Sequence, residues 1–364
     1  MSERCNPNGI VLFAKQPGKT SFSSLNTIKH ALHTKKVGHT GTLDSFASGL
    51  LVVCCGQLTR LASYITAFDK TYDAVIEFGN ETDTLEWTGS VVKTAPLPTK
   101  AHVEEAVAAH TGALMQTPPL FSALHIHGER ASDIARSGRK VELLSRAIIV
   151  YGAEIREFLL EDDDNVRAVR VMFSVSKGTY IRSLARDIGT YCKSAAHLAG
   201  LRRISVGDFV LEDAVGAHLL KPFTIASVYE EIAGGRNASM HNIDETELHL
   251  QHCVCEKIQP MSETLAAACG FAVLHIQAQY ETDFLHGRQL SEKMFVCENS
   301  ITIHKTTFFE QCAALRSAAK NHVHGEDKKN AEKIRMAVFT ERGTFLGMIE
   351  KKVDGAYAYV FVGQ

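Results

Sequence analysis

No run of apolar residues in this 364-residue chain approaches the length that spans a bilayer, which argues against an integral membrane protein. The opening segment Met1-Ser2-Glu3-Arg4-Cys5-Asn6-Pro7-Asn8 lacks the apolar core of a secretory signal. None of the nine cysteines stands in a Cys-x-x-Cys pair. An odd, scattered set without an export signal fits free thiols in a reducing cytoplasm. No internal repeat is visible, so a solenoid is excluded. A large net charge is also missing: the formal value of −2 does not announce a nucleic-acid binder. Gly18-Lys19-Thr20 lacks the companion that would make it a P-loop. The glycine required five positions earlier is replaced by Phe13, which leaves the phosphate cradle incomplete and removes the nucleotide-hydrolase reading.

What is present is ordinary in bulk and uneven in distribution. Hydrophobic content of 45% and charged content of 22% are globular values, and the length suggests two domains. Residues 1–60 carry Arg4, Lys15, Lys19, Lys29, Lys35, Lys36 and Arg60 against only Glu3 and Asp44. Residues 177–203 carry Lys177, Arg182, Arg186, Lys193, Arg202 and Arg203 against Asp187. The acids gather elsewhere, at Glu161 to Asp164, Glu230-Glu231 and Asp244 to Glu247. Two basic segments can form one phosphate-binding face on a near-neutral protein, or two solvated surfaces that never meet.

Periodicity predicts a buried strand over 9–15, a turn at 16–20, and a helix capped by Ser21 with Leu25, Ile28, Ala31 and Leu32 on its apolar face. A helical stretch over 58–68 leads to a strand at 70–78, where Tyr72, Ala74, Ile76 and Phe78 alternate. Residues 81–89 read as loop, 90–93 as strand, and 99–113 as a helix ended by Gly112. Residues 117–140 are turn-rich, then basic and helical. Strands at 147–158 and 166–176 flank an acidic hairpin loop, and Ile181, Leu184, Ala185 and Ile188 recur at helical spacing. Beyond Val215 the pattern weakens, with Gly234 to Ser239 loop-like. Strands return at 270–279, 336–339, 344–350 and 356–362, and the highly charged 320–335 reads as an exposed helix or loop.

The most informative stretch is Gly38-His39-Thr40-Gly41-Thr42-Leu43-Asp44-Ser45-Phe46-Ala47-Ser48-Gly49-Leu50-Leu51. One carboxylate sits in a Gly/Thr/Ser-rich loop, followed at once by an apolar run. An Asp there can be a turn former, or a nucleophile, base or electrostatic stabiliser. The stretch resembles the first motif of the TruB-type tRNA pseudouridine synthases, approximately GHxGxLDPxAxGLL, with Ser45 where Pro is usual. Lys15 to Ser21 resembles that family's KPxGxTS turn. Lys70-Thr71-Tyr72 resembles its Lys-x-Tyr element, Ser176 to Gly189 its SKGTYIRxLxxDLG motif, and Leu201-Arg202-Arg203 its LRR element. The matches run in the family's order over about residues 9–215. Residues 116–138 resemble the RNA-holding segment, with His125 where Lys is usual and Ser132 near a usual aromatic.

That resemblance implies a catalytic trio of Asp44, Tyr72 and Arg182. Asp44 is the essential residue, Tyr72 stacks on an extruded pyrimidine, and Arg182 pairs with Asp44 to supply its counter-charge in a dry pocket. It also implies substrate binding by His39, Tyr180, Leu201, Lys19 and Lys177. Arg202 and Arg203 are left as phosphate contacts or strand-end caps. The implied fold is α+β: a pseudouridine-synthase core with a mixed, largely antiparallel sheet and flanking helices, plus a small β-rich C-terminal PUA-like domain. The expected division is a catalytic domain over 1–255 with an RNA-holding insert at 117–140, and a PUA-like RNA-binding domain over 256–364. The expected enzyme is a cytoplasmic monomer that isomerises uridine 55 in the T-arm of tRNA, with no metal, cofactor, membrane or obligatory protein partner. Neither His125-Ile126-His127 nor His322-Val323-His324 has the further ligands a zinc site requires. Two competing expectations are an RNA-binding or tRNA-folding protein with secondary catalysis, and an RNA-guided synthase of a larger ribonucleoprotein. The 117–140 insert, which resembles the stand-alone bacterial type, speaks against the second.

Overall fold

The computed structural model describes residues 6–122, 124–126, 129–130, 133–134, 137, 143–234, 243–296, 334–352 and 355–363. Arg4, His127, Ser132, Arg136, residues 235–239 of the stretch expected to be loop-like, and the charged 310–333 segment with His322 and His324 lie outside the described residues. The chain begins with β1 (Gly9–Lys15), α1 (Ser21–Ala31), β2 (Val37–His39) and β3 (Ser48–Cys55). A 3₁₀ turn (Gly56–Leu61) and α2 (Ala62–Thr66) lead to β4 (Lys70–Phe78), β5 (Asn80–Thr82), β6 (Val91–Thr94), α3 (Lys100–Ala109) and β7 (Gly112–Gln116). Short β8 (His125–Ile126) and β9 (Glu129–Arg130) precede the long hairpin of β10 (Arg146–Leu160) and β11 (Val166–Val175). Then come α4 (Ile181–Tyr191), β12 (Ala196–Val206), β13 (Phe209–Val210), α5 (Ile225–Gly234), α6 (Ile243–Lys257), α7 (Glu263–Ala268), β14 (Ala272–Ile276) and α8 (Glu281–Leu285). β15 (Ile334–Thr340), β16 (Phe345–Lys351) and β17 (Tyr357–Val362) end the described chain.

The main sheet runs β1-β3-β12-β4-β11-β10-β7, with β2 on β3 and β13 on β12. The β3–β12 contact is parallel and the other described pairings in this sheet are antiparallel, so the sheet is mixed and largely antiparallel. A second sheet runs β14-β15-β16-β17. β1 is buried on both faces, which explains an apolar run with no polar alternation. Val11 and Phe13 pack with Leu25, Ile28, Leu250 and Val254 of α1 and α6. Ile10, Leu12 and Ala14 face a core that also takes in Leu265, Phe271, Phe339 and Phe361 from the C-terminal segment.

Several elements differ from the periodicity reading. The helix expected over 99–113 ends at Ala109, and Gly112 opens the edge strand β7. Thr20, not Ser21, caps α1, its hydroxyl accepting from the Ser23 N–H. The region after Val215 holds α5 and α6. A strand end at Arg202 and Arg203 was one open alternative, but the full strand β12 and its place between β3 and β4 were not foreseen. No helix among the described residues is long and apolar enough to cross a membrane.

The free edge of β3 is divided. β12 pairs at Ser48 and Gly49, and β2 pairs at Val53 to Cys55. The gap between them is where the Asp44 loop arrives. Gly49 stands at the contact with φ +109, and a Cβ there would lie 2.3 Å from the Arg203 carbonyl oxygen and 2.6 Å from its nitrogen. Both the backbone conformation and the space demand glycine. Gly49→Ala should therefore lose ~3 kcal/mol or more of stability. This can be read as a lower denaturant midpoint at constant slope; an unchanged midpoint would show that β3 and β12 separate freely.

Candidate active site

Asp44 lies between two buried anchors, Leu43 and Ala47. The Ser21 hydroxyl accepts from the Leu43 N–H at 2.8 Å and donates to the Leu43 carbonyl at 3.0 Å, tying the start of α1 to the loop. Lys15 is fully buried beneath the same loop. Its Nζ donates to the carbonyls of Ala47 (2.6 Å), Lys19 (2.5 Å), Gln16 (3.1 Å) and Ser45 (3.2 Å). The Ser45 carbonyl also accepts from the Gly18 N–H at 2.8 Å. The loop is thus pinned through backbone groups, so Ser45 in place of proline does not leave it loose.

Arg203 fills the gap in β3. Its Nε donates to the Leu50 carbonyl at 2.8 Å and its Nη2 to the Gly41 carbonyl at 3.1 Å, with the side chain 1% exposed. This corrects the phosphate reading of Arg203: the guanidinium is consumed inside the fold. Arg202 donates to Ser48 Oγ and the Lys221 carbonyl.

Arg182, in the first turn of α4, meets Asp44 as the sequence implied. Its Nε lies 3.0 Å from Asp44 Oδ2, and its Nη2 donates to Oδ1 at 3.0 Å. The arginine side chain is 7% exposed and the carboxylate 32%, so the pair is buried from one side and open from the other. Arg182 also donates from Nη1 to the Thr84 carbonyl at 3.0 Å and from Nη2 to the Phe121 carbonyl at 2.9 Å. The Thr84 carbonyl is aimed by its neighbour Leu85, which sits in the left-handed region at φ +59, rare for a branched residue. The Leu85 N–H donates to Thr82, and its carbonyl accepts from Leu198 of β12. Strain of this kind persists where surrounding bonds over-determine it, commonly beside a site. Glu86, next in the chain, is pushed upward from the usual carboxylate range by burial and then by Asp44, with Arg182 opposing.

Tyr72 and Leu201 come together with Leu43, Ala47 and Ile181 in one buried cluster, and Phe46 packs against it. Tyr180 occupies the position before α4. The Gln116 amide bonds both its N–H (2.9 Å) and its carbonyl (3.1 Å). His39 ends β2 beside β3. Burial, then the charge of Arg203, hold it toward the neutral form. Lys19 and Lys177 are exposed on their turns. Sequence reasoning assigned no individual role to Lys15, Thr84, Leu85, Glu86 or Gln116; Lys15 carried a signal in its place in the matched turn, and Gln116 in opening the segment that resembles the RNA-holding region. Among the described residues no group of three or more His, Cys, Asp or Glu side chains is placed to hold a metal.

Two solved structures share this architecture. A Cbf5-Nop10-Gar1 complex aligns with TM-score 0.57 and 20% identity over 98% of this chain and 85% of that one. The archaeal box H/ACA sRNP Nop10-Cbf5 complex gives 0.56 and 20% over 97% and 85%. At such identity the likeness speaks for the fold alone. Residues 29–181 match the TruB family pseudouridylate synthase (N terminal domain). A protein named tRNA pseudouridine synthase B from Treponema denticola is 40% identical over 314 residues, covering 80% of this chain and 86% of the relative. Its namesake in Borreliella burgdorferi is 40% identical over 222 residues, covering 61% and 77%. The chain belongs to the TruB family of pseudouridine synthases, and is an isomerase.

Burial pushes the Lys15 ammonium from 10.5 down to about 7, against the pull of Asp44. Between those values the unfolded lysine holds a proton that the folded one releases. Stability from this group is therefore full above pH 10.5 and lost as pH falls through 7. Lys15→Met removes that dependence and leaves the loop carbonyls without their donor. The variant should be less stable than wild type, with a deficit that grows between pH 7 and 10.5 in parallel denaturation curves. A deficit independent of pH would mean that Lys15 is charged throughout.

Proposed function

We propose that this enzyme converts one uridine in the T-loop of tRNA, at position 55, to pseudouridine, with Asp44 as the essential catalytic residue. The observation that carries the reading is the Asp44–Arg182 pair: a carboxylate fixed from behind and open in front. Tyr72 and Leu201 share a buried cluster with Leu43 and Ala47, the residues that flank Asp44 in the loop. The name tRNA pseudouridine synthase B, borne by relatives that align along most of this chain, supports tRNA as the substrate.

In this reaction the bond from the ribose to N1 of uracil breaks, the base rotates, and C5 bonds to the ribose carbon. C5 loses one proton and N1 gains one, so atoms balance, no electrons are exchanged, and no cofactor is required. A uridine cannot react inside a folded RNA, so the base must be extruded into the pocket. Tyr72 then stacks on it, Tyr180 and Leu201 bound it, and Arg182 keeps Asp44 in place. His39 packs into the loop the base has left, and Lys19 and Lys177 meet backbone phosphates. Residues 1–255 form the catalytic unit, with 117–140 holding the T-arm. Residues 256–364 form a PUA-like RNA-binding unit. The enzyme works as a cytoplasmic monomer without a guide RNA or protein partner.

Incubation with an unmodified tRNA transcript, followed by carbodiimide mapping of pseudouridine, tests this directly. Wild type should modify the T-loop uridine, and Asp44→Ala should bind the transcript and make no product. Arg182→Lys, which replaces a planar fork with a point charge, should lower kcat by ~10²-fold. Product from Asp44→Ala would refute the assignment. Binding without product by wild type would point to a partner-dependent synthase or an RNA-binding protein.

A further inference from the structure

Most arginines around the site each meet two or more protein acceptor atoms. Arg182 meets Asp44, Thr84 and Phe121; Arg203 meets Leu50 and Gly41; Arg186 meets Asp187 and Thr117; Arg170 meets Asp73 through two nitrogens. Arg146 is different in its partners: its Nη2 donates to the Gly178 carbonyl, its Nε, like that of Arg182, is buried with no hydrogen-bond acceptor, and it makes no ion pair, among the described residues. Its guanidinium carbon lies 4.7 Å from the centre of the Tyr180 ring. It also lies 3.6 Å from where a Cβ of Gly178 would stand, with its two terminal nitrogens at 3.7 and 3.8 Å. Gly178 is at φ +79 and presents no side chain there.

The frame around this guanidinium is rigid. Arg146 opens β10 and is paired with Gln116 of β7, whose side chain clamps the Tyr180 backbone on both sides. Three residues further along β10, the Ile149 N–H donates to Ser176 Oγ and its carbonyl accepts from the Ser176 N–H, fixing the turn that carries Lys177 and Gly178. The cation is therefore held against the Tyr180 ring by ordered strands, with donors left over and no counter-ion. A cation on an aromatic face accounts for its position; it does not account for the unused donors. A guanidinium with free N–H groups matches the oxygens of a phosphate, to which it forms paired, charge-assisted bonds.

We propose that Arg146 is a substrate-binding residue that takes an RNA backbone phosphate flanking the uridine extruded beside Tyr180. This rests on the reading of the chain as an RNA-modifying enzyme. The base enters past the Tyr180 ring, and its own sugar-phosphate stays at the mouth, where Arg146 and the exposed Lys177 present positive charge.

A phosphate contact has a signature that a structural prop lacks: it changes the salt dependence of binding. Binding of an unmodified tRNA transcript should be measured across a KCl series for wild type, Arg146→Ala, Arg146→Gln and Arg146→Lys, with kcat and KM for pseudouridine formation. Arg146→Ala should flatten the slope of log K against log salt by about 0.7–1 and raise KM by ~10-fold with little change in kcat. Arg146→Gln, which keeps the stem and a donor for Gly178, should flatten the slope equally, and Arg146→Lys should restore it. A slope unchanged in both neutral variants, or a fall in kcat alone, overturns the proposal and makes Arg146 a support for Tyr180. Absence of product from wild type would count against the parent reading; an unchanged slope in variants of an active wild type counts only against Arg146.

Discussion

The Arg182 guanidinium is the point on which the site converges. It bonds to groups 138, 98 and 61 residues distant in sequence: the Asp44 carboxylate, the Thr84 carbonyl and the Phe121 carbonyl. Contacts so far apart form only when the whole sheet is assembled, because each closes a long loop at an entropic cost. The burial of Arg182 demands such a set of acceptors, since a guanidinium away from water must have its donors and its charge satisfied. The same demand gives the three segments one relative geometry. Asp44 inherits a fixed orientation from a residue whose own freedom is removed on three sides.

The Asp44 loop poses the complementary problem. It enters the fold where the edge of β3 away from β1 has no strand partner, so carbonyls that a ladder would satisfy need other donors. Side chains supply them: Lys15 to Ser45 and Ala47, Arg203 to Leu50 and Gly41, Ser21 to Leu43. Three of the basic residues that a charge count would place on a phosphate-binding face, Lys15, Arg182 and Arg203, therefore point inward. Charge segregation along the sequence was a real pattern with a partly different cause: positive side chains cluster near the loop because its backbone needs donors.

The apolar strands β1, β4 and β11 were legible because nothing competes with their burial pattern. The Asp44–Arg182 pairing was legible because both residues sit in motifs whose types and order are distinctive. β12 was legible only as a strand end at Arg202 and Arg203: Gly200 interrupts the strand, and two arginines do not read as its interior, although one of them is wholly buried. Residues 81–89 read as loop, but the left-handed conformation of Leu85 within it was not foreseen, because no residue type announces a leucine at positive φ; its backbone bonds to Thr82 and Leu198 hold that conformation. The helix cap moved by one residue for a comparable reason, the Ser21 hydroxyl being engaged by Leu43.

The C-terminal strands were foreseen, but their anchorage was not. Gln259 exchanges backbone bonds with Ile10, Arg60 sits over the Phe361 ring, and Arg335 over the Tyr64 ring. Met348, Phe339 and Phe361 share a core with Leu50 and Val52, the strand that emerges from the Asp44 loop. Two sheets with a common interior cannot slide past each other without opening it. Whatever the outer sheet touches is held at a set span from Asp44, so the second sheet gives the molecule a built-in measure of length: a partner that reaches both must be of the right size.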